Sequence, residues 1–260
     1  MKETITVVKI GGNVVDDPVA LDAFVGEFSR LRGPKILVHG GGKEATRLSK
    51  RLEIPTVMIE GRRVTSRETL DVVTMVYAGL VNKRIVSKLQ AAGCDALGLS
   101  GADGDAVRAT MRPKEPRDYG FVGDIRPEGV NADLIERLLD GGIVPVFCAI
   151  MHDGEGTLLN CNADSVASAI ALGMARVRPI RLVYCFEQPG VMADIERPDS
   201  VIAEITPASY AALKENGTVG GGMIPKIENA LAAVAAGVES VSIRMASALN
   251  DPDAGTTIRP

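Results

Sequence analysis

Two lysines, two arginines and a set of glycines define the chemistry this sequence could perform. Lys9 lies inside Thr4-Ile5-Thr6-Val7-Val8-Lys9-Ile10-Gly11-Gly12-Asn13, a run of β-branched residues that reads as a buried strand ending in glycine. An ammonium in such a strand is costly unless something negative meets it, and the glycines let backbone N–H groups approach that anion. A lysine snorkelling from a strand end into water is the plain alternative. Lys226 closes a second glycine-rich segment, Gly217-Thr218-Val219-Gly220-Gly221-Gly222-Met223-Ile224-Pro225-Lys226, where a flexible loop with a surface lysine would look the same. A third, Gly40-Gly41-Gly42, joins the strand Lys35 to His39 to a helix, the geometry in which a helix N-terminus collects an anion; tight packing alone would also use glycine. Arg62 and Arg63 leave a hairpin turn at Glu60-Gly61, and a guanidinium can bind a carboxylate through two parallel hydrogen bonds. Asn160, Asn162 and Asp164 place amides and a carboxylate at a helix start, where capping alone would account for them.

Three glycine-rich turns, two of them beside a lysine, without a Gly-x4-Gly-Lys-Ser/Thr motif, point to phosphoryl chemistry on a fold other than the P-loop type. A dinucleotide-binding protein is the competing reading, but no G-x-G-x-x-G follows the first strand. With only His39 and His152 and no evident base, the chemistry should need no proton abstraction. A carboxylate acceptor fits, because it is already a nucleophile at pH 7 and needs only positioning and charge neutralisation.

The elements that must hold these groups follow from periodicity. Pro18 to Leu31 carries Leu21, Phe24, Val25 and Phe28 at helical spacing behind Asp16 and Asp17. Ser66 to Ala92 reads as a long helix with a break at Ala78-Gly79 and an apolar stripe of Leu70, Val73, Val76, Tyr77 and Leu80. Strands are expected at Asp95 to Leu99, Ala106 to Met111, Ile143 to Cys148, Ile180 to Cys185 and Glu239 to Arg244, with a hairpin over Tyr119 to Ile125. Leu158 to Asp164 opens a helix using Val166, Ala167, Ile170 and Leu172; further helices run Asn131 to Asp140, Pro207 to Asn216 and Ile227 to Ala236. This alternation predicts an α/β chain, a three-layer αβα sandwich with a mainly parallel open sheet.

The 260 residues suffice for one large or two small domains, and 46% hydrophobic with 24% charged residues is ordinary for a soluble globular protein. A net charge of −4 and only nine aromatic residues argue against a nucleic-acid surface. Cys94, Cys148, Cys161 and Cys185 are scattered and form no C-x-x-C pair, which predicts reduced cysteines and no zinc site. No apolar span is long enough for a membrane helix and no leader precedes the first strand, so a cytoplasmic protein is expected.

Taken in order, Lys9-Ile10-Gly11-Gly12, His39-Gly40-Gly41-Gly42, Gly61-Arg62-Arg63-Val64-Thr65, Asn160-Cys161-Asn162-Ala163-Asp164 and Gly222-Met223-Ile224-Pro225-Lys226 resemble the motifs of the amino-acid kinase family over nearly the whole chain. The resemblance is to the branch that acts on N-acylated glutamate. It implies a single domain of the carbamate kinase-like fold over residues 1–260, whose N-lobe, about 1–175, binds N-acetyl-L-glutamate and dimerises and whose C-lobe, about 176–260, binds ATP with Mg2+. The implied reaction is phosphorylation of the γ-carboxylate, the second step of arginine biosynthesis. By motif position, Lys9 and Lys226 would flank the transferring phosphoryl group and Asp164 would orient both. Gly11, Gly12 and Gly41 would donate N–H groups to phosphate oxygens, and Gly41, Gly42, Arg63, Asn160 and Asn162 would contact the acylglutamate. Glu187, Gly190, Gly222 and Met223 would lie on the nucleotide side. Two departures from the family pattern stand out: Cys185-Phe186-Glu187-Gln188-Pro189-Gly190 replaces a usual Ser/Thr-Asp pair, and Pro225 interrupts the last glycine motif. A kinase for N-succinylglutamate or for carrier-linked aminoadipate or glutamate stays open, as does a regulator without turnover. With only Met1, Lys2 and Glu3 before the strand, the resemblance also implies an arginine-insensitive homodimer joined through Leu70, Val73, Val76 and Tyr77.

Overall fold

In the first strand, β1 (Ile5–Ile10), five of six side chains are buried, and β2 (Lys35–His39) is buried at every position, which requires helices on both faces of the sheet they share. The computed structural model describes residues 2–194, 196–197, 199–219 and 223–260, with the Pro225 side chain excepted. Between these strands lie the short α1 (Gly12–Asp16) and α2 (Pro18–Arg30), the latter capped by the Asp17 carboxylate, which accepts from the Val19 and Ala20 N–H groups. Leu21, Phe24, Val25 and Phe28 form its buried stripe.

The chain continues through α3 (Gly42–Arg51), the hairpin β3 (Met58–Ile59) and β4 (Arg62–Arg63), α4 (Arg67–Thr74), α5 (Asn82–Ala91) and β5 (Ala96–Leu99). After the small ribbon β6 (Thr110–Met111) and β7 (Gly123–Asp124) come α6 (Ala132–Asp140), β8 (Val144–Phe147), the pair β9 (Ile150–His152) and β10 (Leu158–Asn160), and α7 (Ala163–Met174). The last third comprises β11 (Ile180–Phe186), β12 (Glu204–Ile205), α8 (Pro207–Glu215), α9 (Met223–Ala235), β13 (Ser240–Met245) and β14 (Thr256–Ile258). Eight strands form one sheet in the order β12-β14-β13-β11-β1-β2-β8-β5, parallel throughout except where β13 meets β14. The seam between the early and late halves of the chain is therefore the β1–β11 pairing, and Lys9 faces Tyr184 in its register. The predicted αβα architecture with a mainly parallel sheet is the one observed.

Several local expectations are corrected. The helix from Ser66 to Ala92 does not break at Ala78-Gly79; Met75–Val81 forms a π-helical turn joining α4 to α5. Val76 and Tyr77 follow Val73 at ordinary helical spacing and face inward, and the wider turn then rephases the stripe, so that Val81 is buried while Leu80 is 46% exposed. Leu70, Val73, Val76 and Tyr77 are all core residues of this chain, at most 6% exposed, and cannot form the expected dimer surface. Leu158 to Asn160 is a strand rather than a helix start, because each residue finds a partner in β9. The expected hairpin over Tyr119 to Ile125 pairs instead as β6 with β7, and residues 120 and 122 bridge to Thr65 and Asn160. The last helix begins at Met223, four residues before the expected start, which puts Lys226 in its first turn.

Candidate active site

The carboxyl ends of β1, β2 and β11 converge with the start of α7, the place where open α/β sheets bind ligands. Lys9 is held in the buried core of β1, and its Nζ lies 2.8 Å from Asp164 Oδ1. The lysine side chain is 9% exposed and the aspartate 40%, and because the Oδ1 that meets Lys9 is buried, the pair stands at the wall of the site with the other side of the aspartate toward solvent. Asp164 is set there by α7, whose first turn is capped by Asn162: its Oδ1 accepts from the Asp164 and Ser165 N–H groups at 2.9 and 3.2 Å. The capping reading of Asn162 thus holds for its oxygen, while the residue also lines the cavity. Lys226 reaches the same locus from α9, with its ammonium 4.0 Å from the centroid of the Phe186 ring. Asp164 pairs with Lys9; among the described residues no ion pair joins it to Lys226.

The glycines differ in what they can donate. The Gly11 N–H donates to the Cys185 carbonyl at 3.1 Å, continuing the β1–β11 ladder, so it is not available to the phosphate oxygen expected for it. Gly12 opens α1, and the first N–H groups of a helix have no acceptor within it. Gly41 leaves no room for a side chain, since a Cβ there would stand 2.8 Å from the Tyr77 ring. Gly42 starts α3 and its carbonyl accepts from Arg63.

Arg63 is buried and donates to the Gly42 carbonyl at 2.9 Å, to Thr46 Oγ1 at 2.8 Å and weakly to Thr56 Oγ1 at 3.4 Å. All three acceptors are neutral, its Nε has no partner, and among the described residues no carboxylate meets it. A buried guanidinium with neutral partners only is a site prepared for an anion. Asn160 is buried and donates through Nδ2 to Thr65 Oγ1 at 3.0 Å, while the Thr65 hydroxyl donates to the Arg63 carbonyl at 2.9 Å. An arch over residues 119–122 ties β4 to β10: the Thr65 N–H donates to the Tyr119 carbonyl, and the Phe121 and Asn160 N–H groups donate to the Thr65 and Phe121 carbonyls. Gly120 is obligatory in that arch, with φ of +70° and a Cβ that would fall 2.2 Å from the Thr65 carbonyl oxygen.

Three positioning residues went unrecognised from sequence. His39, fully buried at the end of β2, donates from Nδ1 to the Gly40 carbonyl at 2.7 Å and accepts at Nε2 from Asn82 Nδ2 at 3.0 Å. Asn82 Nδ2 also donates to the Val146 carbonyl at 2.9 Å, so a chain of bonds holds the glycine turn to the sheet. Burial pulls the His39 pKa down to about 4, which keeps the imidazole neutral and able to accept. Tyr77, from the π-helical turn, walls the cavity beside Gly41, and burial raises its phenol pKa. The available signals were a histidine directly before three glycines and a lone asparagine directly after the apolar run Met75 to Val81.

Together Gly41, Gly42, Arg63, Tyr77, Asn160 and Asn162 line a cavity of about 150 Å³. It shares Gly61, Arg62 and Asn162 with a cleft of about 620 Å³ that contains Asp164, Tyr184 and Lys226. Past the end of β11, Gly190, Val191, Thr218, Val219 and Met223 border a separate cleft of about 460 Å³ that shares no lining residue with the other two. Glu187 is exposed, and Gly222 lies outside the described residues.

The sequence model of the Amino acid kinase family matches residues 4–245. The chain is 49% identical over 259 residues to acetylglutamate kinase of Phocaeicola vulgatus, covering 100% of both chains. Its fold matches that of smu.665 from Streptococcus mutans UA159, with a TM-score of 0.76 and 30% identity over 98% of both chains. It also matches carbamate kinase from Giardia lamblia, with a TM-score of 0.71 and 15% identity over 98% of each.

Proposed function

This chain belongs to the amino acid kinase family, and from that premise we propose that it transfers the γ-phosphoryl group of ATP to the γ-carboxylate of N-acetyl-L-glutamate, in arginine biosynthesis. The observation that carries this reading is the continuity of a small cavity, lined by an anion-seeking Arg63, with a locus where Lys9, Asp164 and Lys226 meet. Residues 1–175 would form the acylglutamate lobe and residues 176–260 the ATP lobe, with β1 and β11 as the seam.

The acceptor enters with its α-carboxylate on the Arg63 guanidinium and its amide on Asn160, beside the backbone of Gly41 and Gly42. Its γ-carboxylate then points toward Lys9. That carboxylate is ionised at neutral pH, so no residue has to remove a proton. Lys9 and Lys226 balance the negative charge carried by the phosphoryl oxygens during transfer, and Asp164 keeps Lys9 aimed and stops its ammonium from turning away. Gly12 and Gly41 offer N–H groups to phosphate oxygens. Magnesium arriving with ATP would supply further charge neutralisation; among the described residues no group of three or more His, Cys, Asp or Glu gathers that would hold it.

The test is a coupled ADP-release assay across acetyl-, succinyl- and unacylated glutamate, aspartate, carbamate and UMP. Fastest turnover with N-acetyl-L-glutamate is the expected outcome. ADP release that depends on none of the acylglutamates would overturn the reading.

A further inference from the structure

Phe186 stands at the end of β11, where sequence reading found a departure from the family pattern, and it meets both lysines of the site. Its ring centroid lies 4.0 Å from Lys226 Nζ and 5.3 Å from Lys9 Nζ, both within the range of cation–π attraction. We infer that Phe186 is a positioning residue, an aromatic platform that gathers the two ammonium groups into one locus before the phosphoryl group arrives. The need for such a platform is electrostatic. Two like charges share this locus with a single carboxylate, Asp164, whose ion pair goes to Lys9. Lys226 thus lacks an anion among the described residues, and the electron-rich ring face is its nearest compensation.

The ring is itself fixed. Phe186 pairs with Met245 in the β11–β13 register, and the preceding carbonyl, of Cys185, accepts from the Gly11 N–H. Tyr184, two residues earlier on the same strand face, stacks against the ring at 6.3 Å between centroids and 22° between planes. The Tyr184 hydroxyl in turn donates, at 3.4 Å, to the backbone carbonyl of Asp164. One strand face therefore connects the aspartate's backbone, the aromatic pair and both lysines. An aliphatic side chain would fill the space without offering a negative face.

The inference rests on the kinase reading, and two measurements separate its failure from the failure of that reading. In the first, 4-fluoro-, 3,5-difluoro- and 3,4,5-trifluorophenylalanine are placed at position 186, which drains the ring's negative face while keeping its shape. The expected result is a stepwise fall in kcat, about two- to fivefold across the series, with the KM for acylglutamate unchanged. A flat kcat across an active series overturns the inference. In the second, the Lys226 side-chain methylene resonances, assigned by their loss in Lys226→Arg, are expected to be ring-current shifted upfield and to return toward ordinary positions in Phe186→Leu. Unshifted resonances in the unsubstituted protein overturn the inference whatever reaction the protein catalyses. Absence of turnover in that protein, with the upfield shift present, would sink the substrate assignment and leave the aromatic platform standing.

Discussion

The two sides of the seam are built on different principles. On the proposed acceptor side, Arg63, Asn160, Thr65 and His39 are all buried, and each is tied by side-chain hydrogen bonds to the glycine turn, to β4 or to one another. The cavity they border is small, about 150 Å³. On the proposed nucleotide side, the cleft beside Gly190 and Met223 is about three times larger, at 460 Å³, and Glu187 projects into solvent. A buried polar group rejects a ligand that leaves it unpaired, so selectivity is strongest where polar groups are already buried and aimed. We therefore expect discrimination among acceptors to come from fixed side chains. The nucleotide should be gripped mainly through its phosphates at the lysines.

The largest expected effect lies on the seam itself. Lys9→Met keeps the aliphatic stem in β1 but removes the charge paired with Asp164, and kcat should fall at least about a hundredfold. Substrate KM values should change far less, because the charge is matched to the transferring group. Steady-state kinetics with both substrates check this, and kcat within tenfold of the starting protein would remove Lys9 from the mechanism.

Next, Arg63→Ala should separate the two sides. Loss of a charge-assisted anchor of this kind is worth roughly 2 kcal/mol, or about thirtyfold in the KM for the acylglutamate. Arg63→Lys should not restore affinity, since an ammonium cannot reproduce the planar guanidinium that puts Nη2 on Gly42 and Thr46 and Nη1 on Thr56 while offering a carboxylate two parallel hydrogen bonds. The ATP KM should stay unchanged in both variants. A rise shared equally by both substrates would break the division between a preformed acceptor cavity and a separate nucleotide cleft.

What the sequence revealed and concealed follows the same division. The sheet, the glycine turns after β1 and β2, and the positions of Lys9, Arg63 and Asp164 were legible because strand composition, glycine clustering, hairpin turns and helix starts are local signals. Concealed features depend on what packs against what. Leu158 to Asn160 is too short to announce a strand, and the asparagines after it advertise a helix cap, which Asn162 indeed provides. The commitment of the Gly11 N–H follows from the β1–β11 register, which no local pattern encodes. The π-helical turn shifts the period after Tyr77, so Val81 rather than Leu80 faces inward, and the stripe that reads as core or dimer surface is core up to Tyr77. His39 and Asn82 sit 43 residues apart in sequence, and only the fold brings their hydrogen bond about.

His39, beside the proposed acceptor cavity, should also contribute to the pH dependence of stability. The His39 pKa is depressed from its ordinary 6.5 to about 4, so the unfolded chain binds a proton between these values that the folded protein refuses. The contribution is complete above about pH 6.5 and is lost as pH falls toward 4; at pH 5 the loss should reach roughly 2 kcal/mol. Urea unfolding at pH 7 and pH 5 measures it, with His39→Gln as the reference, in which that part of the pH difference should disappear. An equal difference in the variant would show that another group controls acid sensitivity.

The smallest effect is expected where the nucleotide side is most open. Glu187 was assigned to nucleotide binding by motif position, yet its side chain is exposed, forms no ion pair among the described residues, and borders none of the three clefts described above. An exposed carboxylate without a partner contributes little to stability, typically within about 0.5 kcal/mol, and in water its charge is too well screened to repel or recruit a nucleotide strongly. Glu187→Ala should therefore leave the melting temperature in place and change the ATP KM by less than about twofold. Met223, at the first turn of α9 and on the wall of the 460 Å³ cleft, is the contrasting probe: Met223→Ala removes apolar surface that an adenine or ribose would cover, and the ATP KM should rise several-fold more than in Glu187→Ala. If Glu187→Ala instead gives the larger rise, the carboxylate reaches the nucleotide when it binds. The open side of the seam would then acquire its fixed contacts only with ligand present.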